Sequence, residues 1–270
     1  MFVHIALVAA VPVDLGDIPS VLGERTRMRW RGYGTPIHLQ LFLPRIWTPQ
    51  KKWPLVVFLH GAAGNGWTAM NSQSLPRLLS RDQSTAANPA KTWTLEFGGT
   101  RYANETFADD FNFVVVMPQS DSSATSSGWN RGRLLEVKSL VNAVVDHYSI
   151  DTARVVLTGQ SNGAVGAWLF AIHHPELWSA VVPICGASPI HPPIVAEHLR
   201  GVPIWVFHAA TDAHVPVARS DELVAAIKAK RNKTRDKAPI RYTRYLAAPN
   251  PVDPAFADFT GHASGVPTAK

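Results

Sequence analysis

The chain has 270 residues, 46% hydrophobic and 17% charged. That balance excludes a disordered polymer, and the length suits one α/β domain with a sizeable core. A single cysteine, Cys185, excludes an internal disulfide framework and a multi-thiolate zinc centre.

Met1 to Val13 is apolar but lacks a basic flank and a small-x-small cleavage site. An ordinary first strand is therefore preferred to a signal peptide, and a cytoplasmic setting to secretion. Arg25, Arg27, Arg29 and Arg31 alternate, so they share one solvated face of an extended segment. Pro36 to Leu43 contains an alternating stretch and reads as a strand. Pro54 to His60 is a continuous apolar run ending in a glycine-rich turn. Residues from about 65 to 110 carry weak periodicity over a length unusual for a βα loop, so a cap or lid insertion is expected there. Phe113 to Met117 is a second continuous run. Leu134, Val137, Val141, Val144 and Tyr148 recur at helical spacing and form an apolar stripe.

Val155 to Thr158 predicts a strand and Asn162 to His174 a helix, stopped before Pro175. Ala180 to Ile184 and Val202 to Phe207 are further strands. A helix is expected over Ser220 to Lys230, with Ser220 as its N-cap. Lys228, Lys230, Arg231, Lys233, Arg235 and Lys237 form a second basic cluster, read as a solvated helix end within the net charge of +6. Ile240 to Leu246 is a last strand. Short continuous apolar runs alternating with helices predict a mostly parallel sheet with helices on both faces. Neither basic cluster accompanies a nucleic-acid-binding motif, so no such partner is expected. No apolar run reaches the ~18–20 residues that span a bilayer. Nothing in the sequence sets an oligomeric state.

Gly159-Gln160-Ser161-Asn162-Gly163 matches G-x-S-x-G, and its context matters more than the pattern. A strand precedes it and a helix follows, so Ser161 falls on a tight turn that lifts its hydroxyl to a helix N-terminus. A nucleophilic serine needs a base, and the base needs an orienting acid. Asp212 follows the strand Val202 to Phe207, at the sheet's carboxyl end, where open α/β sheets place their sites. His262, preceded by Gly261, comes after the last predicted strand. It is preferred as base to His208 and His214, because those share a short loop with the acid. The oxyanion donors expected are the backbone N–H groups of Ala62 and Asn162, with Ala63 as substitute for Ala62. His60 reads as a structural histidine holding that glycine-rich loop.

These residues resemble the α/β-hydrolase superfamily. Within it the chain is similar to the predicted-peptidase, feruloyl esterase and polyhydroxybutyrate-depolymerase-like esterases, and to the phospholipase/carboxylesterase and dienelactone hydrolase groups. The resemblance lies in LHGAAGNG (59–66), VVVMPQS (114–120), WNRG (129–132), YSIDTARVVLTGQSNGAVGAW (148–168), HPELWSAVVPICGA (174–187) and VPIWVFHAATDAHVPV (202–217). It implies that Ser161, Asp212 and His262 form a triad and that Gln119 and Trp129 contact substrate near the pocket mouth. Cys185 matches a family position and reads as a buried structural thiol. Two departures stand out. Asn162 replaces the usual methionine or histidine, and only eight residues follow His262, where the family carries a covering helix.

The reading is one α/β-hydrolase domain over residues 1–270. It acts as a serine hydrolase on a small-molecule carboxylic ester through an acyl-enzyme, and no metal or organic cofactor is implied. The rivals are a prolyl-oligopeptidase-type serine peptidase and a non-catalytic binding protein on a hydrolase scaffold. A serine-directed fluorophosphonate separates enzyme from binding protein.

Overall fold

The computed structural model describes residues 22–32, 36–62, 75, 79, 94–97, 100–103, 108–120, 128–248 and 261–262. The expectations for Met1–Val13, for most of 65–110, for Ala63 and for the stretch after His262 lie outside the described residues.

Eight strands form the main sheet. They are β1 (Arg25–Trp30), β2 (Ile37–Phe42), β3 (Trp53–Leu59), β6 (Val114–Pro118), β7 (Ile150–Gln160), β8 (Ala180–Ile184), β9 (Ile204–Ala209) and β10 (Ile240–Tyr245). The order across the sheet is β1-β2-β6-β3-β7-β8-β9-β10. From β6 to β10 every neighbouring pair is parallel, whereas β2 is antiparallel to both β1 and β6. Between β3 and β6, β4 (Thr94–Phe97) and β5 (Thr100–Ala103) pair as a separate two-stranded antiparallel sheet.

The continuous apolar runs have a direct cause. In β3, Leu55, Val57 and Leu59 join the large core cluster, while Val56 and Phe58 join a smaller cluster on the other face. In β6, Val114 and Val116 join the first, and Val115 and Met117 the second. A strand covered on both faces cannot alternate polar with apolar residues. Leu79 and Ala108, which lie between β3 and β6 in the chain, belong to the smaller cluster. At the edge, β1 keeps its alternation: Trp30 is buried, while Arg27 and Arg29 are exposed.

Four helices supply the large cluster: α1 (Arg131–His147), α2 (Asn162–His173), α3 (Pro192–His198) and α4 (Ala218–Thr234). Asn130 caps α1, its Oδ1 accepting the Arg133 amide at 3.0 Å. Leu134, Val137, Val141, Val144 and Tyr148 are all buried, as the stripe requires. No helix among the described residues is long and apolar enough to cross a membrane.

Three expectations need correction. Helix α4 begins at Ala218 with Val217 at the cap position, so Ser220 lies inside it and not at its start. The Ser220 hydroxyl is committed elsewhere, 2.8 Å from His208 Nδ1. Arg231 does not belong to a solvated helix end. It is 4% exposed, and its guanidinium donates to the carbonyls of Val202, Leu199 and Ala238, tying the end of α4 to the turns before β9 and β10. Strand β7 also begins five residues before the apolar run, at Ile150; residues 152–154 are exposed, so this part of the strand carries no apolar run.

Candidate active site

Strand β7 ends at Gln160 and α2 starts at Asn162, leaving one residue for the reversal. Ser161 makes it with φ 57 and ψ −121. For a residue with a Cβ this backbone costs about 1–3 kcal/mol and persists only when its surroundings over-determine it. Here they do. The Ser161 amide donates to Ile184 O at 2.9 Å, and the Ser161 carbonyl accepts from Ala164 N and Val165 N at 2.9 and 3.1 Å. Both flanking glycines are required by close approach. A Cβ on Gly163 would stand 1.8 Å from Leu59 O, and one on Gly159 would stand 2.3 Å from Gly163 O. Asn162 is the first residue of α2, so its N–H precedes the carbonyls that the helix ladder could offer it.

Asp212 lies on the turn after β9, its amide donating to Ala209 O at 3.3 Å. Its carboxylate is enclosed by donors. Oδ1 accepts the backbone N–H of His214 and of Val215, each at 2.9 Å. Oδ2 accepts from His262 Nδ1 at 2.6 Å and from His208 Nε2 at 3.1 Å. Burial alone pushes this carboxyl up. The hydrogen bonds from His208, His262 and Val215 outweigh it and hold Asp212 well below the usual carboxylate range.

His262 comes from a different part of the chain, fifty residues on. Gly261 brings it in at φ 74, where a Cβ would stand 2.0 Å from Thr211 O. Only a residue without a side chain lets the backbones pass so closely. With Nδ1 committed as donor to the carboxylate, the neutral ring keeps its basic lone pair on Nε2. The His262 carbonyl accepts from Cys185 Sγ at 3.3 Å. Cys185 follows Ile184, whose carbonyl holds the Ser161 amide. The end of β8 therefore carries both the serine turn and the histidine loop. Cys185 is buried, as expected, and adopts a positive φ of 43.

His60 holds the start of the glycine-rich stretch at Gly61. Its Nδ1 donates to Gly61 O at 2.8 Å, its Nε2 accepts the Ser120 amide at 3.1 Å, and its ring meets Trp129 edge-on at 5.1 Å. Burial lowers the His60 pKa against the opposing bond to Gly61 O, with the Arg133 charge adding to the lowering, so the ring is neutral. Ala62, two residues on, is exposed at the loop's start. Trp129 is 1% exposed, and its indole N–H donates to His60 O at 2.8 Å. That bond holds Trp129 against the residue that follows β3. Gln119 is half-buried, with its carbonyl accepting from Arg133. His214 is exposed, its ring 5.4 Å from that of His262. His208, passed over as base, also donates to the acid. Nothing in the spacing of His208 and Asp212 signals that bond.

Cys185, Asp212 and His262 also place one potential ligand atom each within 4.8 Å of one another. The Asp212 oxygen and the His262 nitrogen are 2.6 Å apart, with a proton between them. Two ligands at ~2.0–2.2 Å from one tetrahedral ion stand more than 3 Å apart, so this geometry suits a hydrogen bond and not a shared metal.

The Esterase family matches residues 31–236, which include Ser161 and Asp212 and stop before His262. The chain belongs to the Esterase family. It is 28% identical over 193 residues to poly(3-hydroxyalkanoate) depolymerase C of Paucimonas lemoignei, covering 67% of this chain and 39% of that protein. It is 27% identical over 122 residues to acetylxylan esterase A of Emericella nidulans, covering 38% and 40%. The chain thus spans about two fifths of the length of these relatives. Among solved structures, a thermostable esterase superposes with a TM-score of 0.61 at 28% identity, covering 92% of this chain and 60% of that one. The feruloyl esterase module of Clostridium thermocellum gives 0.60 at 13%, covering 94% and 89%. The fold is that of the α/β-hydrolases.

Proposed function

We propose that this member of the Esterase family hydrolyses carboxylic esters with Ser161 as nucleophile, His262 as general base and acid, and Asp212 as the group that orients His262. One observation carries the reading. A serine held at φ 57 and a 2.6 Å histidine–carboxylate pair from two other segments are tied to the end of the same strand.

The chemistry follows from the proton positions. His262 Nε2 takes the Ser161 hydroxyl proton as Oγ attacks the ester carbonyl carbon. The carbonyl oxygen becomes an oxyanion, met by the N–H groups of Ala62 and Asn162. Asp212 stabilises the imidazolium without taking its proton. Collapse breaks the bond to the alcohol, which leaves with the proton from His262. Water then enters, loses a proton to Nε2 and attacks the acyl-enzyme. The acid departs and Ser161 recovers its proton. These steps call on no metal or organic cofactor.

The relatives support a substrate whose ester is carried on a polymer, with a small acyl group or a hydroxyalkanoate unit. Hydrolysis of p-nitrophenyl acetate tests the reaction itself. Ser161→Ala is expected to lower kcat by ~10⁴–10⁶ with the fold intact. Retention of more than about a tenth of wild-type activity, a loss under ~1.4 kcal/mol, contradicts the reading.

A further inference from the structure

We infer that His208 is a positioning residue for this reaction: it competes with His262 for the same oxygen of Asp212 and thereby sets the basicity of His262. The inference rests on the triad reading above and extends it to a fourth side chain.

His208 lies on β9 with none of its surface exposed. Its Nε2 faces two acceptors, Asp212 Oδ2 at 3.1 Å and Val215 O at 3.0 Å. A nitrogen between two acceptors must carry the hydrogen, so the ring is an Nε2–H donor. On the other side Nδ1 stands 2.8 Å from Ser220 Oγ, whose hydroxyl donates to it when the ring is neutral. Ser220 thus links α4 to the acid through an imidazole. This accounts for a polar residue buried inside that helix at 2% exposure.

Against the Asp212–His262 pair stand Cys185 after β8, His208 on β9 and His214 on the following loop. Among the described side chains, His208 and His262 are those that bond Oδ2. A carboxylate oxygen that serves two donors attracts each less than it would attract one alone. The His208 bond therefore weakens the hold of Asp212 on the His262 imidazolium. That hold acts on the ring whose Nε2 the triad uses as base. The same bond, with Val215 O, fixes the carboxylate plane that His262 must meet.

The test compares His208→Leu, His208→Gln and Ser220→Ala. Glutamine places an N–H₂ near the position of imidazole Nε2 and keeps the donation, whereas leucine removes it. In His208→Leu the acid midpoint of the kcat/KM profile is expected to move up by about half to one pH unit, a change of ~0.7–1.4 kcal/mol. His208→Gln should stay near wild type. Ser220→Ala, which leaves the ring in place without its second anchor, should shift the midpoint in the leucine direction by a smaller amount. It keeps the test open if the leucine variant fails to fold. A second readout needs no turnover: titration of His262 by ¹⁵N NMR in a Ser161→Ala background should give the same order of midpoints. Unchanged midpoints in folded His208→Leu and in Ser220→Ala, with only stability lowered, would overturn the inference. If wild type shows no esterase activity, the functional reading fails, while the NMR titration still decides the role of His208.

Discussion

Gly163→Ala probes the contact that allows the serine turn to exist. Gly163 stands where the first turn of α2 crosses the end of β3. An added Cβ would lie 1.8 Å from Leu59 O, 2.5 Å from Leu59 C and 2.8 Å from His60 O. All three are backbone atoms, and Leu59 is paired with Gly159 in the sheet, so no side chain can swing aside. Comfortable non-bonded separation is ~3.5–4.0 Å, so helix and strand must part by well over 1 Å. Overpacking a core by one carbon costs about 1–3 kcal/mol, and a clash against backbone on both sides belongs at the upper end. With an unfolding entropy of ~2.1 cal/mol/K per residue, a loss of about 3 kcal/mol lowers Tm by about 5 °C. The same displacement moves the Asn162 amide and Ser161, and a 1 Å misplacement costs about 10²-fold in rate. Gly132→Ala is the control. It lies in the first turn of α1, where the nearest atom to a Cβ is Asn130 Oδ1 at 3.4 Å, and it should hold or raise Tm. Thermal melts by circular dichroism and p-nitrophenyl acetate kinetics read both effects. A Gly163→Ala protein that melts within about 1 °C of wild type with full activity refutes the reasoning, because a perturbation of this size gives several degrees.

Asp212→Asn keeps the shape of the site but reverses the hydrogen bond to His262, and steady-state kinetics should show kcat down by about 10⁴ in a protein that still folds. Trp129→Phe removes the donor to His60 O and leaves that carbonyl buried. Urea unfolding should show a loss of about 1–3 kcal/mol, with KM for small esters almost unchanged. A large KM effect would return Trp129 to the substrate surface. Burial holds the His60 pKa below 6.5, so the unfolded chain takes up a proton that the folded one refuses. Stability is therefore full above about pH 6.5 and falls as pH drops through that value, by up to ~1.4 kcal/mol per pH unit. The urea midpoint should fall between pH 7.5 and 5.0, and His60→Gln should flatten the fall. An equal slope in the variant removes His60 as the cause.

The sheet was legible wherever burial is two-sided. Runs such as those of β3 and β6 need apolar residues on both faces and announce themselves. The start of β7 did not, because Asp151 to Arg154 meet solvent or half-exposed surroundings. Helix α3 has seven residues, too few for periodicity to register, and opens on two prolines. The serine turn was legible because its glycines answer a local steric demand that a motif can record. Ser220 misled because a hydroxyl that looks like a cap is committed to His208, a partner twelve residues back. The burial of Trp129 was not legible: its place in the sequence marks the neighbourhood of the site, and only three-dimensional packing shows its indole bonded to His60 O. The Asp212–His262 bond spans fifty residues, so order along the chain suggests it and only geometry displays it.

The central claim is that Ser161 is the nucleophile, and a covalent label tests it most directly. Intact-mass spectrometry after treatment with a fluorophosphonate, followed by peptide mapping, should find one phosphonyl adduct on Ser161 in wild type. Ser161→Ala should carry none, and Asp212→Asn should label far more slowly. An adduct on another residue, or a folded wild-type protein that stays unlabelled, contradicts the account.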